Sequence, residues 1–405
     1  MKLSLCMIVK DEEQSLPHCL DSAKDVVDEI VILDTGSSDR TIAIAKDYGA
    51  TVAEFPWNND FAAARNEALK HVTGDWVLVL DADEELTEEA GPHLRTAMAD
   101  DNLLVVGLVR EELGAVQSPY SLTSRLFRRH PKIKFSRPYH ALIDDSVMAL
   151  IKEESQWNFG TLQTVAIAHS GYTQASISKK DKKARAQKAM ETYLADHPDD
   201  PYVCSKLGAL YATSGQHKQG RELLERGLKA TNLEPPVAYE LHYHLANAYA
   251  RKNNTDQAVI HYQAAISQNI FPLLKLGALI NFGSLLHIAG EYEMAQRPLG
   301  AAIQIDPTCM LAYYNLGLVF KALGNYNDAI KAYEKAIELQ ADYAPAYQNL
   351  GVVWFKCGKI EEGLEYFGKA IAILDTKNLL EADKLRNQLH DMGFQAPKFS
   401  VQIES

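Results

Sequence analysis

Val31-Ile32-Leu33-Asp34-Thr35-Gly36-Ser37-Ser38-Asp39-Arg40-Thr41 reads as a buried strand that ends in a carboxylate, turns on a glycine and opens a helix among hydroxyl side chains. In an open α/β sheet, ligands sit beyond the carboxyl ends of the strands, so Asp34 is placed to accept hydrogen bonds from a base N–H or from ribose hydroxyls. Ser37, Ser38 or Asp39 can cap the helix that follows. The flanking sequence continues the alternation: strand-like runs at Leu3–Val9, Glu29–Asp34, Thr51–Glu54, Trp76–Leu80 and Leu103–Val109 are separated by amphipathic stretches such as Asp60–His71. Such βαβ units predict a Rossmann-like α/β domain with a mostly parallel sheet.

A second strand end carries more carboxylates. Trp76-Val77-Leu78-Val79-Leu80 runs directly into Asp81-Ala82-Asp83-Glu84-Glu85. Carboxylates alternating there suit a hard divalent cation, Mg2+ or Mn2+, which takes oxygen ligands and can bridge the two phosphates of a sugar nucleotide.

From about residue 180 the texture is helical throughout, with a period of 34 residues, as from Leu316 to Leu350. Leu207-Gly208, Leu245-Ala246, Phe282-Gly283, Leu316-Gly317 and Leu350-Gly351 hold equivalent places in five units, 201–234, 239–272, 276–309, 310–343 and 344–377. Small residues recur at Gly220, Ala258, Ala295, Ala329 and Gly363, where two antiparallel helices cross closely. Residues 235–238 and 273–275 are insertions between units and read as loops. Residues 176–200 read as a linker helix, Asn378–Met392 as a capping helix that shields the last unit, and Gly393–Ser405 as a loose tail. The unit Ala312-Tyr-Tyr-Asn-Leu-Gly-Leu through Tyr326, Ala329, Tyr333 and Ala336 resembles a tetratricopeptide repeat, which implies an all-α solenoid.

Composition narrows the function classes. A net charge of −12 on 405 residues disfavours non-specific nucleic-acid binding. The basic cluster Arg125, Arg128, Arg129, Lys132, Lys134 and Arg137 reads as the solvated edge of a domain. No apolar run reaches the roughly 18 residues that a membrane span needs. Met1 leads directly into the alternating Ser4–Val9, a first strand rather than a signal peptide, so the expectation is a soluble, cytoplasmic protein. Five scattered cysteines without a Cys-x-x-Cys pair read as reduced, packed thiols.

Ser4-Leu-Cys-Met-Ile-Val-Lys-Asp-Glu-Glu13, Val31–Thr41, Asn59-Asp-Phe-Ala-Ala-Ala-Arg-Asn66 and Leu78-Val-Leu-Asp-Ala-Asp-Glu-Glu85 together resemble the family-2 glycosyltransferases of GT-A fold, over residues 1–175. The resemblance implies that Asp34 contacts the nucleotide base, Asp81 the ribose or metal, and Asp83 the metal on the diphosphate. It also implies that Arg65 faces the nucleotide, and that the sugar is inverted on transfer. Arg125-Leu-Phe-Arg-Arg129, Tyr139-His140-Ala141 and Ile167-Ala-His-Ser-Gly-Tyr172 look like the repeat-bearing bacterial branch, and His169, after a short apolar run, would complete the metal or diphosphate site from the domain's last strand. Relatives carry a glutamate where this chain has Ala141. An inverting transfer needs a group to take the acceptor's proton, and His140 and Asp144 are the candidates.

The expected function is metal-dependent transfer of a sugar from a nucleotide-sugar donor, a UDP-sugar, to an acceptor. The repeats would present a peptide or protein acceptor or bind a docking partner. The alternative is a non-catalytic repeat scaffold with a degenerate nucleotide-binding domain, for which Ala141 is the main support. A nucleotidyltransferase would need a basic, glycine-rich phosphate loop after the first strand, and Val9-Lys10-Asp11-Glu12-Glu13 is acidic instead.

Overall fold

The computed structural model describes residues 1–57, 60–115, 119–137, 141–170, 176–395 and 397, with the side chains of 176–183 and 185 set aside. Asn59, Tyr139, His140 and Tyr172, and most of the tail 393–405, lie outside the described residues. The chain divides into two compact units, Met1–Asn232 and Leu233–Ser405.

The first unit is built on one sheet. Its strands are β1 (Leu3–Val9), β2 (Glu29–Asp34), β3 (Thr51–Glu54), β4 (Trp76–Val79), β5 (Glu84–Leu86), β6 (Leu103–Glu112), β7 (Tyr120–Arg128) and β8 (Asn158–His169), in the order β3-β2-β1-β4-β7-β6-β8-β5. The pairings from β3 to β4 are parallel, as is β6 with β8, whereas β7 and β5 run antiparallel to their neighbours. The sheet is therefore more mixed than the βαβ alternation implies. Both faces are covered, which is why β1 is apolar at every position but Ser4.

On one face Leu3, Leu5, Met7, Trp76 and Leu78 pack against α1 (Leu16–Ala23), α2 (Thr41–Asp47) and α4 (Ala90–Met98) through Leu16, Leu20, Ala45, Leu94 and Met98. On the other, Val31, Leu33, Val77 and Phe127 meet Ala64 and Ala68 of α3 (Phe61–Ala68) and Val147 and Leu150 of α5 (Asp144–Glu153). Each fully buried leucine or isoleucine contributes roughly 1.5–3 kcal/mol to this core. Helix α3 starts where Asp60 caps it, Oδ1 accepting from Ala63 N at 3.0 Å. The unit closes with α6 (Ser176–Asp196), α7 (Pro201–Thr213) and α8 (His217–Gly227), in which Met190 and Leu194 pack on Val203, Leu207 and Leu223. The first repeat thus belongs to the same compact unit as the sheet.

The second unit stacks four helix pairs: α9 (Pro235–Ala250) with α10 (Thr255–Ile266), α11 (Leu276–Ile288) with α12 (Tyr292–Ile305), α13 (Met310–Ala322) with α14 (Tyr326–Leu339), and α15 (Ala344–Lys356) with α16 (Ile360–Lys377). A last helix, α17 (Leu379–Asp391), lays Leu385 and Leu389 on Phe367 and Ile371. The inserted residues 235–238 form the first turn of α9 rather than a loop, because Pro235 and Pro236 are pre-set for a helix start. The insertion 273–275 lies in a short 3-10 turn, Pro272–Lys275. Close crossing explains the small residues: a Cβ on Gly317 would stand 2.6 Å from the Tyr333 ring. Among the described residues, no helix is long and apolar enough to cross a membrane.

Candidate active site

Asp34 ends β2 with 2% of its surface exposed. Its Oδ2 accepts hydrogen bonds from Gly36 N at 2.8 Å and Ser37 N at 2.9 Å. Gly36 makes this turn with φ at +102°, a region closed to most side chains. The other oxygen, Oδ1, is buried and finds no partner among the described residues. Burying an unpaired carboxylate oxygen is costly, and a base N–H is the kind of donor that relieves it.

The loops beside Asp34 are stapled together. Ser37 Oγ accepts from Asp11 N at 2.9 Å, and Asp11 Oδ1 accepts from Ser38 N at 2.7 Å. Thr41 Oγ1 accepts from Glu12 N at 2.8 Å. Of the three expected caps, Asp39 reaches the first turn of α2, its Oδ1 accepting from Thr41 N at 2.9 Å, while Ser37 and Ser38 hold Asp11.

Two strands away, past β1, the carboxylates after β4 enter a chain of alternating charges. Arg65 Nη2 donates to Asp81 Oδ1 at 2.6 Å, and Arg125 Nη2 donates to Asp81 Oδ2 at 2.7 Å. Arg125 also approaches Glu84 Oε1 at 3.5 Å, and Arg110 Nη1 donates to the same oxygen at 2.7 Å. Arg110 continues to Glu112 Oε1 at 2.6 Å, Glu112 Oε2 meets His169 Nδ1 at 2.6 Å, and His169 Nε2 lies 3.3 Å from Asp83 Oδ2. Glu84 is fully buried, and its Oε2 accepts from Asp81 N at 2.8 Å, which fixes the turn that carries Asp81 and Asp83.

Strand geometry brings these groups together. Val106 pairs with Leu126 but Gly107 pairs with Ser124, so Arg125 is the extra residue of a β-bulge, a device that re-aims a side chain. Glu112 and His169 are register partners at the ends of β6 and β8, and His169 is also the partner of Glu84.

Neighbouring charges and hydrogen bonds shift these groups against the effect of burial. Burial alone would raise the Asp81 pKa, but Arg125 and Arg65 outweigh it and hold that carboxyl far below its usual range. Burial likewise opposes ionisation of Glu112, while the hydrogen bond with His169 and the charge of Arg110 bring it down to about 2. For His169 burial disfavours the cation, yet its bonds to Asp83 and Glu112 lift the pKa to about 9.

Asp83 and His169 are spaced as two ligands of one divalent ion can be, and Glu112 anchors the other ring nitrogen as carboxylate partners of metal-binding histidines do. No third His, Cys, Asp or Glu completes a cluster with them among the described residues. Such a pair would leave most positions of a bound divalent ion to waters and phosphate oxygens.

Asp144 sits apart from this chain of charges, at the start of α5. Its Oδ1 accepts from Ser124 Oγ at 2.9 Å, one residue before the bulged Arg125. Its Oδ2 is buried without a partner among the described residues, and burial raises its pKa. Ala141 packs partly buried against the core under α3 and α5. His140 lies outside the described residues.

The basic cluster is a solvated edge only in part: Arg129, Lys132 and Lys134 are exposed, whereas Arg125, Arg128 and Arg137 are half-buried. Arg125 is only 13% exposed and holds Asp81. Arg128 donates to Leu103 O at 2.7 Å and lies over Trp76, Arg129 donates to Gly74 O at 2.8 Å, and Arg137 pairs with Asp145 at 2.6 Å. Arg125 and Arg128 are separated from the exposed members because β7 alternates its side chains and the following loop turns Arg129, Lys132 and Lys134 outward.

Residues 4–160 match the family model described as glycosyl transferase family 2, and residues 205–271 and 311–343 match tetratricopeptide repeat models. A TPR repeat-containing protein of Synechococcus elongatus is 46% identical over 305 residues, which cover 74% of this chain and 76% of that protein. The chain belongs to the tetratricopeptide-repeat proteins that carry a family-2 glycosyltransferase domain. The prophage-derived glycosyltransferase SunS of Bacillus subtilis is 29% identical over 206 residues, 48% of this chain and 46% of SunS, so the match spans less than half of that relative. Among solved structures, MamA shares 26% identity over 42% of this chain and 96% of its own, with a TM-score of 0.37. The family-2 domain supports sugar transfer as the class of chemistry, and its matched range holds Asp34, Arg65, Asp81, Asp83, Arg125 and Asp144.

Glu112, Arg110 and the part played by Arg125 escape sequence reasoning. Arg125 opens the run Arg125–Arg129, but only the bulge reveals its direction. Glu112 carries no local signal, since its link to His169 spans 57 positions.

Proposed function

We propose that residues 1–175 bind a nucleoside-diphosphate sugar, with UDP as the nucleotide, and transfer the sugar with inversion to an acceptor. The observation that carries this reading is the buried, unpaired Asp34 Oδ1 together with the Asp83–His169 pair, both at carboxyl ends of strands of the one sheet. Asp34 would take a base N–H. Asp81, held by Arg65 and Arg125, keeps lone pairs for a ribose hydroxyl. Asp83 and His169 would hold the Mg2+ or Mn2+, and a bound ion of this kind supplies positive charge to the departing diphosphate.

In the reaction the acceptor oxygen forms a bond to the anomeric carbon while the bond from that carbon to the diphosphate oxygen breaks, and the diphosphate leaves with the electron pair. The acceptor proton goes to a base. Asp144 suits this role because burial raises its affinity for a proton, outweighing the Ser124 hydrogen bond, which lowers it. Ala141 offers no titratable group, and His140 remains the second candidate. The repeats 201–377 would present a peptide or protein acceptor or dock a partner, since such arrays expose extended concave surfaces.

The scaffold alternative rests on Ala141 and differs in turnover. UDP release from a panel of UDP-sugars with Mn2+ separates the two: slow release by the natural chain, lost in Asp83→Ala, supports transfer, and tight UDP binding without release from any sugar donor supports the scaffold.

A further inference from the structure

Arg137, in the loop between β7 and α5, reaches Asp200 and Tyr202 at the start of the first repeat. The base of that loop is closed by Ser136 and Leu142, which exchange backbone hydrogen bonds of 2.8 and 3.2 Å. Just before it, Asn66 clasps Phe135: Nδ2 donates to Phe135 O at 2.9 Å and Oδ1 accepts from Phe135 N at 2.8 Å. Arg65, which holds Asp81, lies 5.4 Å over the Phe135 ring. Two residues on, Arg137 takes φ of 71°, the left-handed region that a non-glycine residue enters at a cost unless its surroundings hold it there.

What holds it is on two sides. Arg137 Nη1 donates to Asp145 Oδ2 at 2.6 Å, beside Asp144 on α5. Nη2 donates to Asp200 Oδ2 at 3.2 Å, and the guanidinium lies 4.9 Å over the Tyr202 ring. The other Asp200 oxygen caps α7, accepting from Val203 N at 2.8 Å. The Arg137 side chain is 10% exposed and Asp200 13%, so this is a largely buried ion pair whose loss leaves the guanidinium with the more exposed Asp145 alone.

We propose that Arg137 is a positioning residue that makes the first tetratricopeptide repeat part of the transferase framework. Through Asp200 and Tyr202, helix α7 sets the loop that carries Phe135 against Arg65 and orients the start of α5, where Asp144 stands. The inference rests on the donor-site reading for its functional meaning and on the Arg137–Asp200 contact for its physical content.

Hydrogen exchange on the full-length chain tests both. In Asp200→Asn, altered only at the cap of α7, amides of residues 133–145 should exchange roughly tenfold faster, as the buried pair is lost. Lys218→Ala, on the exposed face of α8, should leave them unchanged. Faster exchange confined to 198–206 would overturn the proposal. Saturating UDP with Mn2+ should slow exchange at 34–41 and at 198–206, the second effect vanishing in Arg137→Ala and partly returning in Arg137→Lys. Slowing at 34–41 that never reaches 198–206 would also overturn it. No slowing at 34–41 means the donor reading has failed, and the Asp200→Asn result then decides the positioning claim by itself.

Discussion

Glu112 Oε2 lies 2.6 Å from His169 Nδ1, at the paired ends of β6 and β8, and leaves Nε2 directed at Asp83. A carboxylate in that place fixes which ring nitrogen is presented and how the ring is turned. Partners of this kind are worth about 10–100-fold in metal affinity. Glu112→Gln should therefore weaken Mn2+ binding in the presence of UDP by about that factor while leaving UDP binding without metal unchanged, as calorimetry would read.

Glu84 is fully buried between Arg110 and Arg125, and it also accepts the Asp81 amide. Removing one partner of a buried charge network strands the others, at about 3–5 kcal/mol. Glu84→Ala should lose that much in chemical denaturation monitored on the full chain, with the loss in the transition of the sheet-bearing unit.

Glu29 gives a pH signature. Burial opposes its ionisation, but hydrogen bonds from Ser4, Thr73 and Lys2 bring its pKa from 4.5 down to about 2. A depressed carboxylate stabilises the fold fully above its unfolded pKa, and the benefit fades as pH falls toward the folded value. The stability gap between the natural chain and Glu29→Gln should be constant from neutral pH down to about 5, then shrink toward pH 2. A gap that stays constant at low pH would count against the assignment.

Two glycines in the repeats should respond with opposite signs. Gly317→Ala forces a Cβ to within 2.6 Å of the buried Tyr333 ring and should cost about 1–3 kcal/mol. At Gly300, inside α12, nothing lies within 4 Å of the place a Cβ would take, so Gly300→Ala should stabilise by about 0.5–1 kcal/mol. Thermal unfolding of both variants checks the pair.

The parts legible in the sequence are those set by short-range pattern. Val31–Thr41 announces β2, its turn and α2, and the 34-residue period announces the repeats, because strand ends and helix crossings impose residue types locally. What stays hidden depends on pairing between distant strands. The bulge that aims Arg125, the register that joins Glu112 to His169, and the antiparallel insertion of β7 are all decided across the sheet. The basic run from Arg125 to Arg137 misleads for the same reason: linear charge density says nothing about which guanidinium turns inward. Residues 235–238 mislead differently, since an insertion that opens with a proline pair can lengthen a helix as readily as a loop.

The donor site is tested most directly by calorimetric titration of UDP, with and without Mn2+, into the full-length natural chain and into Asp34→Ala and Asp83→Ala. The expected result is UDP binding that Mn2+ strengthens, loss of binding in Asp34→Ala, and loss of only the Mn2+ enhancement in Asp83→Ala. No UDP binding under either condition, or equal binding by all three proteins, would contradict a nucleotide-sugar site at these residues.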